Sequence, residues 1–98
     1  DVKRGIKMFD KLGVKILGLV DNMSYFIGDD GKKYKIFGEG GVKRTAEEFE
    51  KEFLGEIPIN SEVGKCGDEG KPIVEANPNH EISNIYLKLA KKIKSIYF

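Results

Sequence analysis

The sequence predicts an α/β fold, part of a doubly wound parallel sheet that carries a small hairpin insertion. Two short apolar runs, at residues 15–20 and 53–57, flank a segment with the apolar spacing of a helix. A strand, a crossover helix and a second strand in that order favour parallel pairing in one sheet. Two strands and three helices do not complete such a sheet, so we expect residues 1–98 to be a portion of one larger domain.

The first helix is indicated by apolar side chains spaced four, three and three residues apart, namely Val2, Ile6, Phe9 and Leu12. Because this helical pattern begins at the first residues, it is a second indication that residues 1–98 are a portion of a larger domain. Gly13 is suited to cap the helix at its C-terminal end. The following run, at residues 15–20, is rich in Ile, Leu and Val and predicts a strand buried on both faces.

Two β-prone runs rich in aromatic side chains follow, at residues 25–27 and 33–37. The interval between them contains only Gly, Asp and Lys and includes the Asp30-Gly31 pair, which is favoured in tight turns. We therefore predict a small antiparallel hairpin.

The second half of the chain repeats the alternation of helix and strand. A second helix is predicted by the apolar face Val42, Ala46, Phe49 and Phe53. A strand at residues 53–57 is then ended by Pro58. We predict one helical turn at residues 61–65, followed by a Gly-rich loop that reaches Ile73.

The last helix has the clearest pattern. Asn77 is suited to cap it, with Pro78 at the first helical position. Its apolar face is formed by Ile82, Ile85, Leu89, Ile93 and Ile96. Its lysines favour a solvated surface over a binding surface, because acidic residues elsewhere cancel their charge.

Composition narrows the classes of function. The 98 residues include 17 Lys and Arg against 16 Asp and Glu, a net charge of +1, which argues against a strongly basic nucleic-acid-binding module. No apolar run approaches the ~20 residues of a transmembrane helix. We expect neither a nucleic-acid nor a membrane partner. The single Cys excludes an intrachain disulfide and fits a reducing compartment.

The Gly-rich segment at residues 38–45 has some features of a phosphate loop but departs from its pattern. That pattern is G-x-x-x-x-G-K-[ST], because the Lys must reach the phosphates and the hydroxyl must bind Mg²⁺. Val42 replaces the glycine before the lysine, and Arg44 separates Lys43 from Thr45. A tight connection with glycine at positive φ is the favoured interpretation.

Asn22 and Pro58 follow the two predicted strands, at the edge where open parallel sheets bind ligands. A carboxamide both donates and accepts hydrogen bonds, which suits the N6/N7 edge of an adenine. A proline ring can pack on a base. When each residue is considered alone, its place in the sequence favours a local role. Asn22 would hydrogen-bond its own loop, and Pro58 would end a strand.

No catalytic or metal-ligating residue is predicted. Cys66 has no second ligand at the spacing of a metal site, and one His without a placed partner does not define a catalytic triad. We expect Cys66 and His80 to be structural or solvent-exposed.

Several segments together resemble one known family. The most specific is Asp21-Asn22-Met23-Ser24 followed by Ile36-Phe37-Gly38, and further matches lie at residues 1–4, 53–58 and 68–74. They are similar to the Mrp-type iron–sulfur cluster carrier ATPases, a branch of the MinD/ParA-like deviant-Walker P-loop NTPases. The resemblance covers the chain up to the last helix. That helix is similar in its general character and carries no specific motif.

The resemblance implies that the chain is the C-terminal third of a P-loop NTPase. The phosphate loop and the residues that hold Mg²⁺ would lie upstream, so this chain alone would not hydrolyse ATP. Asn22 would read the adenine edge of ATP, and Pro58 would flank the base. The intact protein would be a homodimer that serves iron–sulfur apoprotein clients, in the cytoplasm or, in a eukaryote, in the mitochondrial matrix.

The chain departs from the family at one important place. Members usually carry a C-x-x-C whose thiolates hold a [4Fe–4S] cluster between the two subunits. Here residues 27–34 contain Gly, Asp and Lys but no Cys. Carboxylates do not replace thiolates on such clusters. We therefore interpret Asp29 and Asp30 as turn residues.

Three hypotheses follow. The first is a portion of an ATP-binding iron–sulfur cluster carrier that supplies the adenine side and the dimer region. The second is a non-catalytic interaction module that has lost cluster binding, with the hairpin as its contact surface. The third is a positioning ATPase of the MinD/ParA type, which would require a membrane-binding or DNA-binding surface.

Overall fold

The computed structural model describes residues 1–36 and 38–98, which form a mixed α/β structure. The predicted strand position of Phe37 therefore lies outside the described residues. The helices are α1 (Val2–Lys11), α2 (Gly41–Glu48), α3 (Ser61–Asp68), α4 (Ile73–Ala76) and α5 (Glu81–Tyr97). The strands are β1 (Leu19–Asn22), β2 (Phe26–Ile27), β3 (Lys33–Tyr34) and β4 (Phe53–Ile57).

Strands β1 and β4 are parallel neighbours, as the order of elements predicts, and α2 lies in the crossover between them. The register places Asn22 opposite Ile57, so the two strands end level with each other. The chain positions immediately after both strands therefore share one edge of the sheet.

The predicted strand at residues 15–20 is shifted, because β1 begins at Leu19. Pairing starts there with a 2.8 Å hydrogen bond from the Leu19 N–H to the carbonyl oxygen of Glu52. Leu19 is buried but Val20, on the other face, is only half-buried, so full burial on both faces is not found within the described residues. Gly18, directly before the strand, lies close to the Leu54 side chain: a Cβ at Gly18 would lie 2.6 Å from Cγ of Leu54.

The predicted hairpin is confirmed, although each strand is only two residues long. Strand β2 is antiparallel to β3, and Phe26 lies opposite Tyr34 with ring centroids 5.1 Å apart. Asp30 closes the turn by accepting hydrogen bonds from the Lys32 N–H, at 3.0 Å, and from the Tyr34 hydroxyl. Gly31 adopts a φ of 77°, which glycine tolerates without strain.

Helix α2 ends at Glu48, so the prediction that it carries Phe53 is wrong. Glu50 adopts a φ of 56°, and the Lys51 N–H bonds the carbonyl oxygen of Ala46 at 2.8 Å. This is the Schellman arrangement that terminates helices. Phe53 consequently begins β4.

The prediction of one turn followed by a loop underestimates the helices after β4. Helix α3 begins at Ser61, where Asn60 caps it by accepting a 2.9 Å hydrogen bond from the Glu62 N–H, and it continues to Asp68 with Cys66 packed inward. The chain then turns at Gly70 and forms the short helix α4, which the loop prediction misses.

Helix α5 begins at Glu81, and the predicted cap at Asn77 with Pro78 at the first helical position is wrong. His80 is the cap: its Nδ1 accepts a 3.0 Å hydrogen bond from the Ile82 N–H. The carbonyl oxygen of Asn77 instead accepts from the Ser83 hydroxyl at 2.7 Å. Residues 77–80 therefore form the turn that precedes the helix.

Two small apolar clusters hold these elements together. One joins α1, β1 and α2 through Ile6, Leu19 and Ala46. The other joins α3, α4 and α5 through Cys66, Ile73 and Ile82. Among the described residues, no helix has both the length and the apolar character needed to cross a membrane.

Candidate functional site

A pocket of about 290 Å³ opens where β1 and β4 end. This volume is at the lower limit of ordinary ligand pockets, ~300–1,000 Å³. Both predicted binding residues, Asn22 and Pro58, line it. The rest of the lining comes from the β1 and β4 ends, α3 and α5, and consists of Met23, Ile57, Ile59, Asn60, Val63, Gly64 and Tyr86. We call this the edge pocket.

Asn22 is exposed at the end of β1 and bonds its own loop. Its Oδ1 accepts a 3.0 Å hydrogen bond from the Met23 N–H, which is the local interaction considered as the alternative. A carboxamide has two acceptor sites and two donor hydrogens. The local bond occupies one acceptor site, so the amide can still meet a ligand that offers hydrogen-bond acceptors.

Pro58 is buried directly after β4, in a stretch whose neighbours are fixed on both sides. The Ile57 carbonyl oxygen accepts from the Ser24 N–H at 2.9 Å, and the Ile59 N–H donates to the Tyr25 carbonyl oxygen at 2.6 Å. Since proline has no N–H of its own, its ring presents only apolar surface. The edge pocket therefore combines a fixed apolar wall with the side-chain amides of Asn22 and Asn60.

A charged cluster lies beside the edge pocket, at the base of the hairpin. Tyr25 is 9% exposed, with the Lys33 ammonium 4.4 Å from its ring centroid. Lys35 pairs with Glu56, the residue before Ile57, at 3.2 Å. Burial raises the pKa of the Tyr25 phenol above 10.0, and the negative charges of Glu56 and Glu81 raise it further.

A second pocket, of about 310 Å³, lies against the Gly-rich segment that precedes α2. Its polar groups engage one another: the Ser24 hydroxyl donates to Asp21 at 3.1 Å, and the Thr45 hydroxyl donates to the Gly41 carbonyl oxygen at 3.0 Å. Gly38 and Gly40 both adopt positive φ. The segment thus has the backbone of a tight connection, as the sequence predicts.

The other residues considered from sequence lie away from the edge pocket. Cys66 is 4% exposed and packs in the core, and His80 caps α5, so both have structural positions. Within residues 1–36 and 38–98, no group of three or more His, Cys, Asp or Glu side chains could hold a metal ion.

Two residues of the edge pocket are not predicted from the sequence. Val63 and Tyr86 line it from α3 and α5. Tyr86 follows Ile82 by four residues, so the same helical spacing that identifies the apolar face could have identified it. Its contribution to a ligand site depends on how α3 and α5 meet, which the spacing does not predict.

The family described as ParA, NUBPL iron-transfer P-loop NTPase, matches residues 1–94. The chain belongs to this family. The resemblance to Mrp-type iron–sulfur cluster carriers is thereby confirmed, and the mixed α/β fold with parallel strands agrees with it. The NUBPL family match extends into the last helix, where the motifs themselves are weakest.

Individual relatives agree with the family. The iron–sulfur cluster carrier protein of Aquifex aeolicus is 39% identical over 98% of this chain and 27% of its own length. The "Iron-sulfur protein required for NADH dehydrogenase, mitochondrial" of Arabidopsis thaliana is 42% identical over 95% of this chain and 30% of its own length. The chain thus spans less than a third of each.

One solved structure of a relative is similar in both sequence and fold. It is a nucleotide-binding protein from Archaeoglobus fulgidus in complex with ADP. It is 36% identical, with a TM-score of 0.60 over 71% of this chain and 29% of its own chain. The NUBPL family membership of this chain therefore has structural as well as sequence support.

Proposed function

We propose that this chain is the base-binding portion of a longer ATP-binding iron–sulfur cluster carrier. The observation that carries the proposal is the convergence of Asn22 and Pro58 on the edge pocket. Ligands of open parallel sheets bind at this edge. Membership of the NUBPL family, the names of its relatives and the ADP complex of the Archaeoglobus protein support it.

In this proposal the chain recognises the adenine and the rest of the protein binds the phosphates. The Asn22 amide hydrogen-bonds the base edge, and the Pro58 ring packs on its face. The phosphate loop and the residues that hold Mg²⁺ belong to the remainder of the domain. Hydrolysis of ATP is then a property of the whole protein and not of residues 1–98.

The iron–sulfur cluster is the cargo, and the residues of this chain do not fit it as ligands. The only cysteine, Cys66, is buried in α3, and residues 27–34 of the hairpin contain no thiol. We propose that the intact protein is a homodimer that delivers clusters to apoprotein clients, with its cluster ligands supplied by other residues. The cytoplasm or the mitochondrial matrix is the compartment that suits such a carrier.

The test compares nucleotide binding by the full-length protein and its variants in calorimetric titrations with ADP. Asn22→Ala removes the amide, and we expect about tenfold weaker binding, the typical value of one hydrogen bond to a ligand. Asn84→Ala, an exposed substitution on α5, is the matched control and should bind ADP normally. Unchanged affinity of Asn22→Ala would refute the assignment of the base site.

An interaction module is the second candidate, because the hairpin region exposes apolar side chains. Ile27 is 48% exposed and Ile36 is 58% exposed. Exposed apolar patches mark interaction surfaces. Anaerobic reconstitution of the full-length protein distinguishes the candidates: a brown dimer with near-stoichiometric iron supports the carrier, whereas a dimer without iron supports the module.

A further inference from the structure

Tyr86 stands between two cavities. It lines the edge pocket, and it also lines a larger pocket of about 440 Å³ between α3, α4 and α5. Val63 is the other residue shared by both linings. The remaining lining of the larger pocket is mainly apolar or glycine and consists of Gly67, Gly70, Lys71, Pro72, Ile73 and Val74.

The position of Tyr86 is fixed by its surroundings. It is half-buried and packs against the cluster of Cys66, Ile73 and Ile82. Two side-chain hydrogen bonds hold the start of its helix: the His80 cap accepts from the Ile82 N–H, and the buried Ser83 hydroxyl donates to the Asn77 carbonyl oxygen. A ring held in this way forms a rigid wall, because displacing it would open the packing of the cluster.

We propose that Tyr86 is a specificity-determining residue, the wall that limits the edge pocket to a purine base without a large substituent. The pocket behind it, lined by Val63, Pro72 and Ile73, suits an apolar group. Shortening Tyr86 joins the two cavities and admits purine nucleotides that carry an apolar substituent on the base. This inference rests on the proposed base site.

The test uses the full-length protein and three nucleotides: ADP, N6-benzyl-ADP and an ADP that carries a phenylethyl group on C2 of the adenine. The unmodified protein should bind ADP at least tenfold more tightly than either substituted nucleotide. Tyr86→Ala should reduce that preference by about tenfold or more for at least one of them, as expected when a pocket gains room for a substituent. Tyr86→Phe keeps the ring and should retain the original preference.

Leu87→Ala is the matched control, since Leu87 is the next residue of α5 and is exposed. It should leave the preference unchanged. If Tyr86→Ala unfolds, Tyr86→Leu retains apolar contact with the cluster and should give an intermediate change. The inference fails if all Tyr86 variants that fold keep the original preference while ADP still binds. It fails together with the proposed function if the unmodified protein binds no nucleotide.

Discussion

The main-chain N–H of Ile59 donates a hydrogen bond of 2.6 Å to the carbonyl oxygen of Tyr25. Ile59 lines the edge pocket, and Tyr25 directly precedes β2 of the hairpin. A second backbone bond, from the Ser24 N–H to the Ile57 carbonyl oxygen, joins the same two segments. The start of the hairpin and the pocket loop are therefore one hydrogen-bonded unit.

The ion pair between Lys35 and Glu56 should contribute to that unit. Both side chains are largely shielded, 24% and 30% exposed, so the pair should stabilise the docked hairpin by about 0.5–1 kcal/mol. We expect Glu56→Gln to increase amide hydrogen exchange in the hairpin, most clearly at Gly28, whose N–H bonds the Lys32 carbonyl oxygen. Hydrogen-exchange mass spectrometry measures this.

The pair Lys3–Glu48 provides the control for Glu56→Gln. Its side chains are 56% and 55% exposed, so solvent screens the attraction. Glu48→Gln should leave exchange in the hairpin unchanged. Equal hairpin exchange in the two variants would contradict a role for the Lys35–Glu56 pair in docking.

Ser83 should be among the most sensitive polar positions of the chain. It is fully buried, and its hydroxyl lies 2.7 Å from the Asn77 carbonyl oxygen and 3.1 Å from that of Ile73. We expect Ser83→Ala to lower the free energy of unfolding by about 1–2 kcal/mol, because its bond to the Ile73 carbonyl oxygen is lost at a buried position where water does not replace it. Urea denaturation measures this value.

The exposed Ser95 tests whether burial is the cause. Its hydroxyl also donates to a helix carbonyl, that of Lys92 at 2.9 Å. Water can replace this donor, so Ser95→Ala should change the free energy of unfolding by less than about 0.5 kcal/mol. A loss as large as that of Ser83→Ala would indicate a general effect on α5.

The sequence predicts the elements with strong local signals. The apolar spacing of α1 and the turn at Asp30-Gly31 follow from patterns a few residues long, and the parallel pairing of β1 with β4 follows from the order of the elements. The joint appearance of Asn22 and Pro58 in one pocket follows from the parallel strands, whose ends share an edge of the sheet.

The errors occur where competing local interactions decide a helix end. Asn77 and Pro78 match the rule for a helix start, yet His80 caps α5 while Ser83 engages the Asn77 carbonyl oxygen. Likewise, α2 terminates through the positive φ of Glu50, although no Gly or Pro is present there. These outcomes depend on which of several hydrogen bonds a few residues apart forms, which apolar spacing along the segment does not contain.

Gly18 and Gly5 should respond to alanine with opposite signs. A Cβ on Gly18 would lie 2.6 Å from Cγ of Leu54 and 3.0 Å from the Glu52 carbonyl oxygen, so Gly18→Ala should lower the free energy of unfolding by about 1–3 kcal/mol. Gly5 lies within α1 with nothing within 4 Å, so Gly5→Ala should raise it by about 0.5–1 kcal/mol. Thermal unfolding compares the two variants.

A second substitution identifies the cause of the Gly18 effect. Leu54→Ala removes the side-chain atoms nearest to the added Cβ. The double variant should therefore be more stable than the sum of the two single losses implies, since the pair is in contact. Strict additivity would show that the overlap with Leu54 is not responsible.

Tyr25 should make stability decrease in alkaline solution. Burial, followed by the charges of Glu56 and Glu81, raises its pKa above 10.0, whereas Lys35 lowers it. A group whose pKa is raised by folding stabilises the protein fully below its unfolded pKa, and that stabilisation is lost as pH rises through the folded pKa. The free energy of unfolding should therefore fall from about pH 10 upward, less steeply in Tyr25→Phe.

The same group can be followed directly. The difference in phenolate absorbance between the unmodified protein and Tyr25→Phe during an alkaline titration reports Tyr25 alone. Its midpoint should lie above 10.0. Because Glu56 is one of the causes, Glu56→Gln should lower that midpoint while leaving it above the ordinary value, since burial remains the larger cause. A midpoint at or below 10.0 would contradict the buried position of the phenol.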